Sequence, residues 1–437
     1  MSEREGSQRE RALSEREGSQ RERGAAEERE MSDRVLVVNS GSSSVKYQLL
    51  AVTAGQRVAA GLIERVGEPG SGVADHDAAV RRVVDELRAA GHDVSQPGAL
   101  DAVGHRVVHG GERFVEPTLV DDEVVAAIRA LVPLAPLHNP ANLAGIEALR
   151  RLQPDVPHVA VFDTAFHRTL PPRAWTYALP AEVARKHGVR RYGFHGTSFP
   201  GVTRRAAALL GRPVEDLALV VLHLGNGCSA AAVLGGRSVD TSMGLSPLEG
   251  LVMGTRSGDI DPTIVFHLHR AAGIPYDEIE VLLTKDSGLK GICGDNDVRE
   301  VVRRADSGDE AAQLALQVYC YRIRKYVGAY YAALGRLDAI VFTAGVGENA
   351  PSVRAQALDG LDRLGIRIDP ARNQASSREP RFLSPDGAEV AVLAVPTDEE
   401  LEIAQEALAV VRGGWLGPLA PTRPVDGVGW RPAEEAR

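Results

Sequence analysis

The chain has 437 residues, enough for two or three domains of ordinary size with a large core. Hydrophobic residues make up 44% and charged residues 25%, which excludes a fibrous or wholly disordered protein. The formal net charge of −9 argues against sequence-independent binding to nucleic acid or to an anionic membrane, so any anionic ligand must be held by local positive charge.

The two ends of the chain differ in composition from its body. Residues 2–11 read SEREGSQRER and residues 14–23 repeat them, almost without apolar side chains, so residues 1–30 are predicted to be a disordered charged repeat. Residues 415–437 are rich in Pro and Gly and are predicted to be a loose tail.

Cysteine usage and hydropathy bear on the compartment. Cys228, Cys293 and Cys320 are too few and too scattered for a disulfide framework and include no C-x-x-C pair, which suits a reducing compartment. The sequence has no apolar run of about 18 residues, and its first thirty residues lack the apolar stretch of a secretory signal. We therefore expect a cytoplasmic protein that spans no membrane.

Short β-branched runs alternate with Ala- and Leu-rich segments of helical period in the body, which predicts an α/β architecture. A strand, a polar Gly-containing turn and a second strand occur twice, each time opening about half of the body. This repetition predicts two related lobes with a cleft between them. The segments are 34–38, 39–44 and 45–50 in the first copy and 217–224, 225–229 and 230–234 in the second, and a further strand, 338–343, ends in a Gly-rich turn, 344–349.

The three Gly-rich turns are candidates for phosphate binding. Backbone N–H groups and hydroxyls that converge in such turns suit phosphate oxygens, although a single glycine turn more often serves only the chain geometry. Three of them in one chain, two in duplicated hairpins, favour a nucleotide. Since neither G-x-x-x-x-G-K-[ST] nor a strand–G-x-G-x-x-G–helix is present, the predicted phosphate site is built from hairpins.

Arg106 and Arg256 each stand among glycines and apolar residues, where a buried guanidinium needs an anion. Asp163 follows the apolar run 159–162, the position at which open α/β sheets present ligand-facing groups; its alternative is to cap a turn. His105 and His109 would share a metal only on a helix, and their surroundings favour a strand, which argues against zinc.

These segments belong to a longer set that resembles the acetate kinase (acetokinase) family in content and order. The resemblance implies a duplicated two-lobe fold like that of actin, sugar kinases and heat-shock ATPases (ribonuclease H-like), usually as a homodimer. It implies lobes of residues 31–166 plus 399–414 and of residues 167–398. The matching stretches are VVNSGSSSVKY from Val37, HRVVHGG from His105, LAPLHNP from Leu134, VFDTAFH from Val161, RYGFHGTS from Arg191, HLGNG from His223, DTSMGLSPLEG from Asp240, GTRSGDIDP from Gly254, TAGVGEN from Thr343 and PTDEEL from Pro396.

The implied activity is reversible, Mg-dependent transfer of a phosphoryl group between ATP and acetate by direct in-line attack, giving acetyl phosphate and ADP. By resemblance, Arg106 and Arg256 bind the carboxylate and the migrating group, His195 stabilises its oxygens and His138 assists. Asp163 matches an essential aspartate, for which we favour positioning or metal organisation, because acetate at neutral pH has no proton for a base to remove.

The resemblance also implies positions for metal and nucleotide. Asn39 and Glu399 match metal-associated positions for Mg²⁺ or Mn²⁺, and Glu400 adjoins the second of them. Asp295, Asn296 and Glu300 depart from the family's usual Ser, Ser and Asp, so base preference is left open. The implied ATP and ADP contacts are Lys46, His223, Leu224, Gly225, Asn226, Gly227, Asp297, Val298, Arg299, Gly345, Val346, Gly347, Glu348 and Asn349.

The implied acyl pocket is a small apolar wall of Val108, Leu137, Phe194 and Pro247. One methylene is worth only about 1–3 kcal/mol of discrimination, so a propionate or butyrate kinase remains an alternative. An ATP-binding regulatory protein on the same fold is a second alternative, against which the joint presence of the two arginines, Asp163 and His195 argues.

Overall fold

The computed structural model describes residues 33–415 and residue 417. The predicted charged repeat lies outside the described residues, as does the predicted tail apart from Trp415 and Gly417. Within the described part of the chain, no helix is both long and apolar enough to cross a bilayer.

Two six-stranded mixed sheets organise the molecule. The first has the order β3-β2-β1-β4-β6-β5, in which β1, β4 and β6 are mutually parallel and β2, β3 and β5 are antiparallel to their neighbours. Its strands are β1 (Arg34–Ser40), β2 (Ser44–Ala51), β3 (Gln56–Glu64), β4 (Ala102–Val107), β5 (Thr118–Leu119) and β6 (His158–Phe162).

The second sheet repeats this plan. Its order is β11-β12-β10-β7-β8-β9, with β7, β10 and β12 parallel and the antiparallel hairpin strands on the outside. The predicted strand–turn–strand units are therefore present in both halves. Its strands are β7 (Ala218–Leu224), β8 (Cys228–Leu234), β9 (Arg237–Thr241), β10 (Ala339–Thr343), β11 (Arg381–Phe382) and β12 (Ala391–Ala394).

Helices cover both faces of each sheet, which is why the central strands are apolar on both sides. The helices are α1 (His76–Ala89), α2 (Asp122–Ala130), α3 (Asn139–Leu152), α4 (Pro172–Trp175), α5 (Ala181–His187), α6 (Phe199–Leu210), α7 (Thr263–Ala272), α8 (Tyr276–Lys285), α9 (Gly288–Cys293), α10 (Val298–Asp306), α11 (Glu310–Leu334), α12 (Ala344–Asn349), α13 (Pro351–Leu358), α14 (Pro370–Gln374) and α15 (Glu399–Val411).

The prediction that segment 344–349 is a turn is wrong, because this segment forms the short helix α12. Ala344 starts it in the left-handed region at φ +64°, so the chain leaves β10 sharply and turns at once into the helix.

Helix α15 returns to the first sheet at the end of the described chain. Ile403 and Ala407 pack in one cluster with Val35, Val37 and Val159 of β1 and β6, while α1 and α3 cover the opposite face. In the second sheet, α11 covers one face and α6 the other. The carboxyl ends of β1, β4 and β6 therefore meet the N-terminus of α15 at one edge.

Candidate active site

The predicted anion for Arg106 is a side chain of the same chain. Arg106 lies in β4 opposite Val161 of β6, and Asp163 follows β6 directly. Arg106 donates from Nε to Asp163 Oδ1 at 3.0 Å and from Nη2 to Oδ2 at 2.6 Å. Burial alone would lower the pKa of Arg106, but Asp163 and Glu399 raise it above its ordinary value, so the guanidinium stays charged.

Glu399, the first residue of α15, completes this cluster. Its Oε2 lies 3.9 Å from Arg106 Nη2 and 3.0 Å from the Thr197 hydroxyl, which is also 3.2 Å from Asp163 Oδ1. Although burial would raise the pKa of Glu399, Arg106, His223 and Thr197 lower it below its ordinary value. Glu400 points elsewhere and pairs with Lys46 at 2.5 Å, so the two adjacent glutamates have different partners.

His195 lies beside the second of the duplicated turns. Its backbone adopts the left-handed region at φ +58°, its Nδ1 lies 2.7 Å from the Ser229 hydroxyl, and its ring stacks on His223 with centroids 4.1 Å apart. Burial, His223 and the two arginines lower its pKa well below the ordinary value. The ring is therefore neutral at physiological pH, with one ring nitrogen protonated and the other an acceptor, and its Nδ1 shares a hydrogen bond with the Ser229 hydroxyl.

Arg256 meets His195 at the same turn. A Cβ added to Gly227 would lie 3.6 Å from both Arg256 Nη1 and His195 Nε2. Arg256 donates to the carbonyl of Pro247 at 3.0 Å, and no described carboxylate lies within ion-pair distance of it. Burial lowers its pKa, but the very high ordinary value of arginine leaves it charged.

His138 lies within the field of both arginines. Burial, followed by Arg256 and Arg106, lowers its pKa to about 4, so it too is neutral at physiological pH. It lines a cavity of about 310 Å³ together with Leu137, Pro247, Arg256 and Ser42 of the first hairpin. Since Ser42 and Arg256 come from opposite lobes, this cavity lies between them.

A larger cavity of about 860 Å³ adjoins the turn of the second hairpin. Its wall includes the larger part of the predicted nucleotide residues: Gly225, Asn226, Asp297, Val298, Arg299, Gly345, Val346 and Asn349. Asn296, also in the wall, donates from Nδ2 to Asn226 Oδ1 at 3.2 Å. That bond links the segment before α10 to the turn between β7 and β8.

A model of the acetokinase family matches residues 34–405. The chain is 58% identical over 395 residues to an acetate kinase of Streptomyces avermitilis, covering 86% of this chain and 97% of that protein. It is 52% identical over 399 residues to an acetate kinase of Syntrophobacter fumaroxidans, covering 87% and 97%. The chain belongs to the acetokinase family.

Solved structures agree with this membership. The structure of a Porphyromonas gingivalis acetate kinase superposes with a TM-score of 0.82 at 42% identity, covering 87% of this chain and all of that one. A Francisella tularensis propionate kinase superposes with a TM-score of 0.80 at 41% identity, covering 86% and 98%. The predicted fold class, a duplicated two-lobe α/β fold of the actin-like ATPases, is thereby confirmed.

Three residues that the acetokinase resemblance assigned to ligands have side chains that pack in a hydrophobic core cluster. Val108 and Phe194 of the expected acyl wall are buried in the core of the second lobe, whereas Leu137 and Pro247 line the interlobe cavity. The Leu224 side chain is also core, so it can offer a nucleotide only its backbone.

Two residues of α12 are likewise engaged elsewhere. The carbonyls of Gly347 and Glu348 accept hydrogen bonds from the buried Arg354, and the Glu348 carboxylate accepts from the N–H of Thr397. The predicted contact of these two residues with the nucleotide therefore has no support from the cavity wall. They anchor the helix whose other residues line it.

The residues expected at the metal fit Mg²⁺, which prefers oxygen ligands and keeps several waters. Glu399 has a lowered pKa and only its Oε2 is engaged by Thr197. Asn39 is the last residue but one of β1 and pairs with Lys46, whose Nζ contacts Glu400 at the start of α15. No group of three acidic, His or Cys ligands occurs among the described residues, which leaves a site that relies on water and phosphate oxygens.

Several residues of the site were not predicted. Thr197 lies between Asp163 and Glu399, Ser229 supports His195, and Ser198 contacts both His223 Nδ1 at 2.9 Å and the Thr397 hydroxyl at 2.8 Å. Thr197 and Ser198 lie in the family stretch R-Y-G-F-H-G-T-S. Their position in a matching stretch is the sequence signal that could have identified them as site residues. Their partners lie far away in sequence and could not be read from it.

Proposed function

We propose that this chain catalyses reversible phosphoryl transfer between ATP and acetate, giving acetyl phosphate and ADP. The observation that carries the proposal is that Arg256 and His195 meet beside Gly227. Arg106 and Arg256 are also both near enough to His138 and His195 to lower the pKa of each ring. In phosphoryl transfer to a carboxylate, nucleophile and γ-phosphate are both anionic, and negative charge spreads over the transferred oxygens. Fixed cations and N–H donors at that point stabilise this negative charge.

Each arginine has a distinct part in the proposed mechanism. Arg106 is held by Asp163 in a two-bond geometry, which fixes its guanidinium at the edge of the first sheet. Arg256 has no described carboxylate partner, so its guanidinium is available to an incoming acetate or phosphate. In the tautomer that accepts from Ser229 at Nδ1, the neutral His195 would donate from Nε2 to the transferred oxygens without adding a further cation beside the arginines.

ATP or ADP would lie along the 860 Å³ cavity with its phosphates toward Gly225–Gly227, and acetate would enter the 310 Å³ cavity. Glu399 and Asn39 would hold Mg²⁺, which when bound neutralises phosphate charge. Asp163, fully engaged with Arg106 and Thr197, acts as an organiser of this corner.

We also propose a homodimer and a cytoplasmic location. Helices α7 and α8 expose Ile264, Phe266, Tyr276, Val281 and Leu282, an apolar surface that a second copy would cover. The three cysteines are buried free thiols, which suits the reducing compartment in which ATP is made.

The test is a hydroxylamine trap, which converts acetyl phosphate to a coloured hydroxamate, run with ATP, Mg²⁺ and acetate. Formation of hydroxamate that depends on all three supports the proposal. Tight ATP binding without product would instead favour a regulatory protein. Relative kcat/KM for acetate, propionate and butyrate decides the acyl preference, since the match to a propionate kinase structure at 41% identity leaves the sister activity as the alternative.

A further inference from the structure

One buried hydroxyl lies between the two carboxylates of the candidate site. Thr197 Oγ1 is 3.0 Å from Glu399 Oε2 and 3.2 Å from Asp163 Oδ1, and Thr197 is 2% exposed. A hydroxyl has one proton, so it donates to one of these carboxylates at a time. The other short contact is between two oxygens that would repel without a neighbouring cation.

The three residues come from separate parts of the chain. Asp163 follows β6, Thr197 precedes α6 and Glu399 begins α15. Nothing in the local chain fixes the distance between the two carboxylates, so Thr197 and Arg106 set it together. Arg106 Nη2 contacts Asp163 at 2.6 Å but lies 3.9 Å from Glu399, which leaves the hydroxyl as the shorter link to Glu399.

The backbone around Thr197 is pressed against Asp163. Gly196 donates its N–H to the Asp163 carbonyl at 2.8 Å, and a Cβ on Gly196 would lie 2.2 Å from that same oxygen. This close approach fixes where the Thr197 side chain begins. The hydroxyl therefore has little freedom to leave the two carboxylates.

We propose that Thr197 is a positioning residue that orients Glu399 toward a divalent cation bound with the nucleotide. This inference rests on the proposed function. The hydroxyl donates to Glu399 Oε2 and so leaves Oε1 for the cation. It also keeps the Glu399 carboxylate separate from the Arg106–Asp163 ion pair. Groups that orient a metal ligand in this way typically change metal affinity or activity by about 10- to 100-fold when removed.

The experiment compares three variants with the parent. Thr197→Val removes the hydroxyl at nearly constant volume, and Thr197→Ser keeps it. Thr203→Val is the matched control, because Thr203 is a fully buried threonine of α6 whose hydroxyl has no partner among the described residues. Mn²⁺ binding in the presence of ADP is measured from the free Mn²⁺ electron paramagnetic resonance signal. Half-saturating Mg²⁺, KM for acetate and Tm are measured alongside.

We expect T197V to weaken Mn²⁺ binding by about 10-fold or more and to raise half-saturating Mg²⁺ in parallel, with KM for acetate unchanged. T197S and T203V should behave as the parent does. Parent-like Mn²⁺ binding in T197V overturns the inference, as does an equal loss in T203V or in T197S. If T197V does not fold, T197S decides: retained affinity supports the hydroxyl's role and a 10-fold loss refutes it.

Failure of the proposed function can be distinguished from failure of the inference about Thr197. A parent that binds Mn²⁺ with ADP but forms no acetyl phosphate counts against phosphoryl transfer to acetate. The Mn²⁺ affinities of T197V and T197S still test the hydroxyl in that case.

Discussion

Arg106 and Asp163, 57 residues apart, are joined by two hydrogen bonds at 3.0 and 2.6 Å in the candidate site. Their pairing depends on the parallel register of β4 and β6, which puts Arg106 beside the residue that precedes Asp163 by two positions. The register of the sheet therefore fixes this ion pair. A substitution at either residue changes a rigid part of the site and not a mobile surface side chain.

Replacing either arginine with alanine should reduce acetyl phosphate formation by about 10²-fold or more, because each supplies a preorganised charge to the transferred group. The hydroxamate assay measures this loss. Arg82→Ala is the control, since Arg82 is exposed on α1 and pairs only with Glu86. Equal turnover in R106A, R256A and R82A would contradict the assignment of both arginines.

Asn296→Leu should raise KM for ATP by about 3- to 10-fold, the loss of one neutral hydrogen bond, with KM for acetate unchanged. The reason is that Asn296 donates a hydrogen bond to Asn226, a residue of the turn proposed to bind the phosphates. Steady-state kinetics with varied ATP provide the measurement. Arg303→Ala, in helix α10 that follows Asn296 but outside the cavity wall, serves as the control. An unchanged KM for ATP in N296L would refute a positioning role for this bond.

Unfolding should become easier as pH falls from about 6.5 toward 4. Burial lowers the pKa of His109, His138 and His167 to about 4, whereas an unfolded histidine titrates near about 6.5. The unfolded chain then binds more protons in this window, so stability is complete above the unfolded pKa and declines below it. Urea unfolding at pH 5 and pH 7 measures the difference, on the order of a few kcal/mol.

His167→Gln provides the internal comparison for this pH dependence. His167 is buried, with Nδ1 2.8 Å from the Ser238 hydroxyl and Nε2 2.9 Å from the Phe194 carbonyl. The variant should be less stable at pH 7 but show a smaller loss between pH 7 and pH 5. A free energy of unfolding that is constant between these pH values in the parent would contradict the prediction.

Phe266→Glu should raise the dimer Kd by at least about tenfold, because Phe266 is half exposed within the apolar surface of α7 and α8 and a buried charge there is costly. Light scattering coupled to gel filtration measures the mass across a dilution series. Leu62→Glu, equally exposed but on β3 of the first lobe, is the control. A parent that is a monomer at all concentrations, or a dimer insensitive to F266E, would rule out this interface.

The strands of both hairpins and the two arginines set among glycines could be predicted from sequence because each signal is local. Runs such as Val35–Val38 are apolar on both faces, which indicates buried strands. An arginine among glycines and apolar residues is poorly explained as a solvated surface residue. The partner of Arg106 could not be predicted, since it depends on how β4 and β6 pair. The predictions placed an anion near Arg106 without identifying it as Asp163.

The acyl wall stays a prediction of the resemblance, and its four residues differ in burial. Val108 and Phe194 occupy family positions but are buried with the core of the second lobe, while Leu137 and Pro247 reach the interlobe cavity. Which apolar side chain faces a ligand depends on the relative placement of two lobes, a property of long-range packing. The prediction of a turn at 344–349 was wrong for a different reason: Ala344 adopts a left-handed φ, and the segment forms a helix.

The position of α15 has a consequence for synthesis on the ribosome. Because Ile403, Ala404, Ala407 and Leu408 complete the cluster that contains Val35 and Val159, the first sheet exposes an apolar face until α15 has been made. The first lobe, which contains the first strands to be translated, therefore completes its fold only when α15 has been made. Glu399 joins Arg106 and Asp163 only at that moment, so a nascent chain that stops before α15 lacks both a finished core and a finished catalytic corner.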